Sequence, residues 1–208
     1  MNKEEWINIT RIIQTSEGEL LISGVTSPDI LEKLEIDQQL KAFRPAAKQK
    51  KAIVEISCLP QGKVVSAQIN GKLVGYITFH PPDEFERWSS GPDNVLELGA
   101  IEVSPRYRNY GVGCRMLEVA FGDRKMEDYI VIATEYYWHW DLDGTSLPIW
   151  EYREMMRHLM AHTDLFIKET DDEEITSHPA NMLMVRYGKN IPEETIHEFD
   201  RLLFLNHK

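Results

Sequence analysis

The amino-acid sequence predicts a mixed α/β fold in which a central sheet is flanked by helices. The first indication is the stretch 95–134, which reads as strand, glycine-containing loop, helix and strand. The second is Asn70-Gly71 between two alternating apolar runs, 63–69 and 73–79, the strongest short signal for a β-hairpin. Helix and strand patterns alternate again after residue 134, so we expect the sheet to continue toward the C-terminus.

The N-terminal quarter of the chain predicts an extension to this fold. A chain of 208 residues suits one domain, which we expect to span residues 1–208 with an extension over about residues 1–50. Residues 6–24 predict a pair of strands around the turn Ser16-Glu17-Gly18.

A helix is expected after this pair of strands. Ser27 fits its N-cap and Pro28 its first position, and its apolar side continues through Leu40 until Arg44-Pro45 breaks it. Lys48–Lys51 then forms a short basic patch, either a solvated turn or a docking surface. Residues 52–59 fit a strand or a short helix.

The C-terminal third predicts two helices and two short strands. The helices cover 148–160 and 192–205, and the strands cover 165–168 and 182–187. Before them comes an aromatic run, 135–141. This run either covers the core as a hydrophobic lid or forms a wall of an acceptor site or a protein-docking surface.

The loop after the first strand of the 95–134 stretch has the features of a phosphate or pyrophosphate site. The strand Val95–Val103 ends at Ser104-Pro105, and Arg108-Asn109-Tyr110-Gly111-Val112-Gly113 leads into a helix over Cys114–Lys125. Glycines let the backbone approach a ligand closely. The free N–H groups of a first helical turn and the helix dipole favour negative charge there.

The loop lacks the two commonest phosphate-binding patterns. Cys114 and Arg115 follow Gly113 where a P-loop needs Lys and Ser or Thr, and Met116 stands where a dinucleotide fingerprint needs a third glycine. Arg108-x-x-Gly111-x-Gly113 instead resembles the Arg/Gln-x-x-Gly-x-Gly/Ala loop of the GNAT superfamily of acyl-CoA-dependent N-acyltransferases. The resemblance covers roughly residues 63–187 and implies the GNAT fold and acetyl-CoA as acyl donor. A purely structural strand–helix turn is the alternative.

Charge and cysteine content narrow the class of partner. A net charge of −11 argues against nucleic acid as a partner. It suits a cationic acceptor such as an amine or lysine, or it merely keeps the protein in solution.

No window offers the roughly 20 apolar residues of a membrane span, and the N-terminus has no signal-peptide pattern. Cys58 and Cys114 make no disulfide framework, so we expect a reducing cytoplasm. His139, Asp141 and Asp143 are too few and too close together for a metal site.

Four further stretches narrow the resemblance. Glu97–Val103, Thr134–Leu142, Trp150–Arg153 and Ser177–Asn181 look like the family of bacterial acetoin utilization proteins, AcuA. That family acetylates a lysine of AMP-forming acetyl-CoA synthetase and thereby inactivates it. The resemblance implies acetyl-CoA synthetase as the protein substrate here.

The GNAT resemblance also implies which residues bind the donor. Ile101 and Val103 would offer backbone groups to the pantetheine arm of CoA. The residues that would hold the pyrophosphate are Arg108, Asn109, Tyr110, Gly111, Val112 and Gly113, and Cys114, which follows them, is a further cofactor-binding candidate. Arg106, Arg108 and Arg115 would supply positive charge against CoA, whereas Arg124 and Lys125 fit a structural role at the far end of the helix. Cys114 reads as a small packing residue rather than a covalent nucleophile.

Two carboxylates are candidates for the general base, which a lysine acceptor needs because it must lose a proton before attack. Glu97 and Glu102 lie in the same predicted strand, at an odd separation that points them to opposite faces. Glu97 precedes Arg108 by 11 residues, a spacing at which similar lysine acetyltransferases carry the base, whereas Glu102 is nearer the expected thioester. We favour Glu97 over Glu102. The third possibility is that neither of these residues is the base.

Two departures from the GNAT pattern leave the identity of the general acid undecided. Leu147–Trp150 offers no counterpart of the usual asparagine at the start of the helix after the second strand. The usual tyrosine late in that helix is also missing, and Tyr152 comes too early. Tyr136, Tyr137 and Tyr152 are therefore all candidates for protonating the leaving thiolate.

Overall fold

The structure of the protein, a computed structural model, describes residues 6–205 and divides into two compact units. The first unit comprises residues up to His80 together with Gly99–Lys125, and the second comprises Pro81–Leu98 and residues from Met126 onward. The expectation that the N-terminus carries no signal peptide falls on residues 1–5, which, like 206–208, lie outside the described residues. The single-domain prediction stays a prediction.

The first unit contains five principal strands in the order β1-β2-β4-β5-β6, with the two-residue β3 parallel to the start of β5. Its elements are β1 (Thr10–Thr15), β2 (Gly18–Ser23), α1 (Pro28–Lys33), β3 (Glu35–Ile36), α2 (Ala46–Cys58), β4 (Lys63–Ile69), β5 (Lys72–His80), the C-terminal part of β6 (Val95–Val103) and α3 (Val112–Phe121). The two predicted strand pairs are confirmed. At the turn between β4 and β5, Asn70 and Gly71 have φ of 49° and 75°, the left-handed conformations that an Asn-Gly hairpin turn requires.

Two predictions in the first unit are wrong. Helix α1 ends at Lys33 and does not continue past Leu40, because Glu35 and Ile36 leave the helix to pair with β5. The basic patch Lys48–Lys51 lies inside α2 rather than in a turn. Lys50 Nζ donates to the carbonyl oxygens of Glu32 and Leu34, at 2.9 and 2.6 Å, where a cation satisfies the free carbonyls at the end of α1.

A buried ion pair joins β4 to the segment after α3. Lys63 Nζ lies 2.9 Å from Asp123 Oδ2, and both side chains are inaccessible to solvent. The same ammonium also donates to the carbonyl oxygen of Ala120 at 3.0 Å and lies 4.8 Å from the centre of the Trp6 ring. Asp123 accepts further bonds from the backbone N–H groups of Ile7 and Lys125.

Replacement of Asp123 by Ala should therefore destabilise the protein strongly. It leaves the Lys63 ammonium buried without its counter-ion, which costs about 3 kcal/mol or more. Urea unfolding followed by circular dichroism measures this loss. The matched control is Glu118→Ala, which breaks the exposed Arg115–Glu118 pair and should change the free energy of unfolding by less than about 0.5 kcal/mol. Equal losses in the two variants would contradict this assignment.

The second unit contains four strands in the order β6-β7-β9-β8. Its elements are the N-terminal part of β6, β7 (Ile130–Glu135), α4 (Leu142–Thr145), α5 (Ile149–Ala161), β8 (Phe166–Lys168), α6 (Glu173–Thr176), β9 (Met182–Tyr187) and α7 (Glu193–Asp200). The register of β6 and β7 is parallel, from Val95 opposite Ile130 to Glu97 opposite Ile132, which confirms the strand–helix–strand prediction. The other two strand pairs are antiparallel.

Three helix ends differ from the sequence predictions. Helix α3 begins at Val112 and ends at Phe121, so that Arg124 and Lys125 lie in a separate 3-10 turn and not at its C-terminus. The last helix ends at Asp200 rather than Leu205. None of the helices within residues 6–205 combines the length and apolar content that a membrane crossing needs.

The core of the second unit positions the loop before β6. Trp88 stacks on Phe199 at 5.8 Å between ring centres, within a buried cluster that includes Val95, Ile130 and Ile132. Arg87 next to it donates to Asp171 at 2.6 Å and to Asp172 at 2.9 Å. These contacts fix both the loop and the start of β6, from which Glu97 projects.

Candidate active site

The glycine loop in the first unit connects the end of β6 to α3. A 3-10 turn over Pro105–Tyr110 leads to Gly111, which has φ of 68° and ψ of 23°. This left-handed conformation strains any residue with a side chain. A Cβ atom placed on Gly111 would meet no atom within 4 Å, so this side of the loop is open space that a ligand could fill.

The start of α3 has backbone donors that the helix itself does not use. The first N–H group bonded within this turn is that of Arg115, which donates to the carbonyl of Gly111 at 3.1 Å. The amides of Val112, Gly113 and Cys114 come before it, where an α-helix has no internal acceptors. Val112 is buried and anchors the turn. A helix start next to open space suits a negatively charged group of a ligand.

Each arginine of the loop has a partner. Arg108 Nε donates to the carbonyl oxygen of Val103 at 3.0 Å, which holds the loop to the end of β6. Arg106 pairs with Glu17, and Arg115 pairs with Glu118 at 2.7 Å. The expected positive groups are thus present, and a bound diphosphate would compete with Glu17 and Glu118 for two of them.

The turn between β1 and β2 supports the same loop, which the sequence did not indicate. Tyr107 Oη donates to Glu17 Oε2 at 2.7 Å, and burial together with this carboxylate raises the pKa of Tyr107 to about 12. The hydroxyl of Tyr110 lies 2.9 Å from that of Ser16. No short-range pattern could reveal contacts between residues about 90 positions apart.

The carboxylate of Glu102 accepts hydrogen bonds from three groups of the first unit. Its Oε1 accepts the backbone N–H groups of Lys41 and Ala42 at 2.8 and 2.9 Å, and its Oε2 accepts the hydroxyl of Tyr76 at 2.7 Å. The side chain is 5% exposed. Burial raises the pKa of Glu102, although these hydrogen bonds oppose the increase. These contacts describe a residue that holds the segment before α2 against the sheet.

Glu97 in the second unit has a different environment. It is 7% exposed, and Thr134 Oγ1 donates to its Oε1 at 2.9 Å. A second carboxyl, that of Glu86, lies close enough to be influenced by its charge. Burial raises the pKa of Glu86 to about 7, and the negative charges of Glu97 and Asp83 add to the effect. The sequence analysis did not single out Glu86, which lies in an irregular loop.

The aromatic run forms two groups of side chains. Trp138, which is 50% exposed, stacks on Tyr136 at 4.7 Å between ring centres, and Tyr137 packs on His178 at 4.2 Å. The Tyr136 hydroxyl donates to Glu174 at 3.0 Å. Burial is the main cause that raises the pKa of Tyr136, and this contact with Glu174 adds to it.

Trp140 is tied into the second group. Its Nε1 donates to Glu135 at 3.0 Å, and its ring stacks on Tyr152 at 5.1 Å. Burial raises the pKa of Glu135. Trp138 is therefore the tryptophan of the run that presents its ring to solvent, and Tyr152 is a packing partner of Trp140.

The two units differ in charge, as counted over the whole sequence. The first has 12 acidic and 15 basic residues, a balance of +3, and the second has 22 acidic and 8 basic residues, a balance of −14. The glycine loop belongs to the basic unit, and Glu97 belongs to the acidic one. Among residues 6–205, no group of three or more His, Cys, Asp and Glu side chains is placed to hold a metal ion, and this includes His139, Asp141 and Asp143.

Comparison with known proteins identifies the class. A family model described as the acetyltransferase (GNAT) family matches residues 32–145. Since this is more than half of the chain, the chain belongs to the GNAT family, the acetyl-CoA-dependent N-acetyltransferases. The predicted GNAT fold and the acetyl-CoA donor are thereby confirmed.

Three similar proteins share a narrower name. The chain is 50% identical over 195 residues to the acetoin utilization protein AcuA of Bacillus licheniformis, with 93% of each chain covered. It is 49% identical over 193 residues to AcuA of Bacillus subtilis strain 168, with 92% of each covered. A crystal structure of an acetoin utilization protein from Exiguobacterium sibiricum 255-15 superposes with a TM-score of 0.94 at 43% identity and covers 98% of this chain and 97% of its own. These similarities confirm the resemblance inferred from the sequence.

Proposed function

We propose that this protein acts in acetoin utilization as a lysine N-acetyltransferase that acetylates and inactivates AMP-forming acetyl-CoA synthetase. The observation that carries the proposal is the buried carboxylate of Glu97 in a unit with a charge balance of −14. An acidic unit attracts a cationic lysine on a protein surface, and Glu97 provides a base for it. The name of the similar proteins supports the metabolic assignment.

The donor site in this proposal is the glycine loop. The amides of the first turn of α3 bind the diphosphate, and Gly111 leaves space for it. Arg106, Arg108 and Arg115 supply positive charge. Ile101 and Val103 lie on β6 beyond its paired register with β7, and we assign their backbone groups to the pantetheine arm. Acetyl-CoA supplies the acetyl group as a thioester.

The chemistry begins with loss of a proton from the acceptor. A free lysine has a pKa of about 10.4, so its neutral form costs about 4.6 kcal/mol at pH 7. In this mechanism Glu97 accepts the proton, while Thr134 holds its other oxygen. The neutral amine forms the new C–N bond, backbone N–H groups of β6 stabilise the oxyanion, and the C–S bond breaks. The thiolate then receives the second amine proton, with Tyr152 as the candidate for relaying it.

Glu102 is the alternative base, but its existing contacts favour Glu97. Its carboxylate already accepts hydrogen bonds from the backbone N–H groups of Lys41 and Ala42 and from the hydroxyl of Tyr76. Protonation of Glu102 during each turnover would disturb the segment at Lys41 and Ala42. Glu97 accepts a hydrogen bond from the side chain of Thr134 and from no backbone N–H shown among the described residues, so its uptake of a proton disturbs less of the fold.

The inhibition of the synthetase separates this proposal from a catalytically silent acyl-CoA-binding module. Incubation of the synthetase with this protein and acetyl-CoA should remove synthetase activity, and the loss should persist after this protein has been removed. Incubation without acetyl-CoA should leave activity intact after the same removal. Inhibition that disappears on separation would favour the silent module. Full synthetase activity together with acetylation of a small amine would favour the other alternative, a small-amine acetyltransferase.

Docking of the synthetase should depend on Trp138. An exposed aromatic side chain that becomes buried at the centre of an interface contributes about 2 kcal/mol, so Trp138→Ala should weaken binding about thirtyfold. Added salt should also weaken binding, because it screens the attraction of the acidic unit for a basic surface. Isothermal titration calorimetry measures both effects.

Trp150 provides a matched control, since it is 53% exposed and lies on α5 outside the aromatic run. Trp150→Ala should bind the synthetase as the wild type does. A short peptide carrying the acceptor lysine should be a far poorer substrate than the whole synthetase. Equal affinities of wild type and Trp138→Ala would show that docking uses another surface.

A further inference from the structure

The turn between β1 and β2 is held in one conformation by its own hydrogen bonds and by a neighbouring turn. The backbone N–H of Glu17 donates to Thr15 Oγ1 at 3.1 Å, and that hydroxyl donates to the carbonyl of Gly18 at 2.8 Å. The side-chain amide of Asn70, in the turn between β4 and β5, donates to the carbonyl of Glu17 at 3.4 Å. These bonds fix the backbone from which the Glu17 carboxylate extends.

The Glu17 carboxylate connects this turn to the start of the glycine loop. It accepts the hydroxyl of Tyr107 at 2.7 Å and pairs with the guanidinium of Arg106. Tyr107 is 4% exposed, and its backbone N–H donates to the carbonyl of Ser104 at 2.9 Å, directly after the end of β6. A hydrogen bond to an ionised acceptor is stronger than one between neutral groups. Glu17 therefore fixes the ring of Tyr107, which lies inside the 3-10 turn that precedes Gly111.

A second contact attaches the far end of this 3-10 turn to the same hairpin. The hydroxyl of Tyr110 lies 2.9 Å from Ser16 Oγ and accepts the backbone N–H of Ser16 at 3.2 Å. Tyr110 is the last residue of the 3-10 turn, and Gly111 follows it. The direction in which the first amides of α3 point depends on how this turn ends. The β1–β2 turn thus contacts the segment that sets the position of those amides.

We propose that Glu17 is a positioning residue for the acyl donor: through Tyr107, it holds the glycine loop in the conformation that binds the diphosphate of acetyl-CoA. The inference rests on the proposed donor site at Gly111. A loop that is already ordered loses less conformational entropy when its ligand binds, so the affinity is higher. The coupling is reciprocal, and acetyl-CoA stabilises the β1–β2 turn by the same factor.

The negative charge of Glu17 makes the sign of its effect informative. A carboxylate that merely competed with the diphosphate for Arg106 would weaken donor binding, and its removal would strengthen binding. The side chain of Arg106 is 61% exposed, and exposed ion pairs contribute little. The hydrogen bond from Tyr107 is part-buried and charge-assisted, so its loss has the larger effect. Removal of Glu17 should therefore weaken donor binding.

Isothermal titration calorimetry of the full-length protein with acetyl-CoA measures this effect without an acceptor. Glu17→Ala should raise the dissociation constant about tenfold or more. Tyr107→Phe keeps the ring and should produce most of the same loss. The double variant should bind about as Glu17→Ala does, because both substitutions remove the same hydrogen bond. Glu17→Gln can still accept the Tyr107 hydroxyl and should recover part of the affinity.

Glu19→Ala is the matched control within the same hairpin. Glu19 is exposed and accepts a hydrogen bond from the side chain of Gln14 at 3.1 Å. Its removal takes away a negative charge and a side-chain contact of the hairpin, and acetyl-CoA should bind as it does to the wild type. Tighter or unchanged binding in folded Glu17→Ala, or losses that add in the double variant with Tyr107→Phe, would overturn the proposal.

Two further readouts separate positioning from a loss of stability. With the synthetase as acceptor, Glu17→Ala should raise KM for acetyl-CoA and leave kcat at saturating donor near the wild-type value, whereas a loosened fold would lower kcat. Hydrogen exchange should show that acetyl-CoA protects the amides of residues 10–23 in the wild type and protects them less in Glu17→Ala. No change in protection in the wild type would contradict the coupling.

Gly111→Asp distinguishes failure of this inference from failure of the proposed donor site. Lost binding in Gly111→Asp together with wild-type binding in Glu17→Ala would remove only the role of Glu17. Wild-type binding in Gly111→Asp would remove the donor site and, with it, the role of Glu17.

Discussion

Glu97→Gln is expected to lower turnover by about 10²- to 10⁴-fold near neutral pH, because it removes the group that takes the proton from the acceptor. Binding of acetyl-CoA should be nearly unchanged. Raising the pH should recover part of the loss, since a larger fraction of the lysine is then already neutral. Initial rates of acetyl transfer between pH 6 and about 9.5 measure both effects.

Glu102→Gln is the comparison that decides between the two candidate bases. The Gln side chain cannot accept all three hydrogen bonds that Glu102 receives, so we expect a lower melting temperature with a smaller loss of turnover. Both variants are first compared with wild type by circular dichroism. An equal or larger loss of turnover in folded Glu102→Gln, with Glu97→Gln still active, would assign the base to Glu102.

Gly111→Asp is expected to abolish the stabilisation of the protein by acetyl-CoA. A ligand that binds only the folded state adds about 2.7 kcal/mol at one hundred times its dissociation constant. The Asp side chain would enter the open space beside the helix start and place a negative charge where the diphosphate binds. Melting curves with and without acetyl-CoA provide the measurement.

Gly71→Asp is a matched control for this substitution. Gly71 has φ of 75° and, like Gly111, a Cβ there would meet no atom within 4 Å. Both variants therefore suffer comparable backbone strain, but Gly71 lies in the turn between β4 and β5. Gly71→Asp should retain the increase in melting temperature with acetyl-CoA. If Gly111→Asp retains it as well, the loop does not bind the donor.

The fold was predictable where local patterns determine the backbone. Asn70-Gly71 specified a hairpin because left-handed conformations suit these two residues, and the β-branched run of β7 specified a buried strand. The end of α1 was not predictable from such patterns. Leu34 and Leu40 continue its apolar spacing, yet Leu34 is the C-cap and β3 pairs with β5. That pairing joins distant residues and overrides the local helical preference.

The site was predictable to a similar extent. The glycine loop could be recognised because its function depends on consecutive residues. The odd separation of Glu97 and Glu102 predicted opposite faces of a strand but not which carboxylate has free acceptor capacity. That depends on amides at Lys41 and Ala42, about 60 residues away from Glu102. The contact between Glu17 and Tyr107 could not have been found, because no sequence spacing links residues 90 positions apart.

Intact-mass analysis of acetyl-CoA synthetase tests the central claim most directly. After incubation with this protein and acetyl-CoA, the synthetase should gain the mass of one acetyl group, and peptide mapping should place it on a single lysine. The gain should form at least about a hundredfold more slowly when Glu97→Gln replaces the wild type under the same conditions. A synthetase of unchanged mass, or an equal gain when this protein is omitted, would contradict the account.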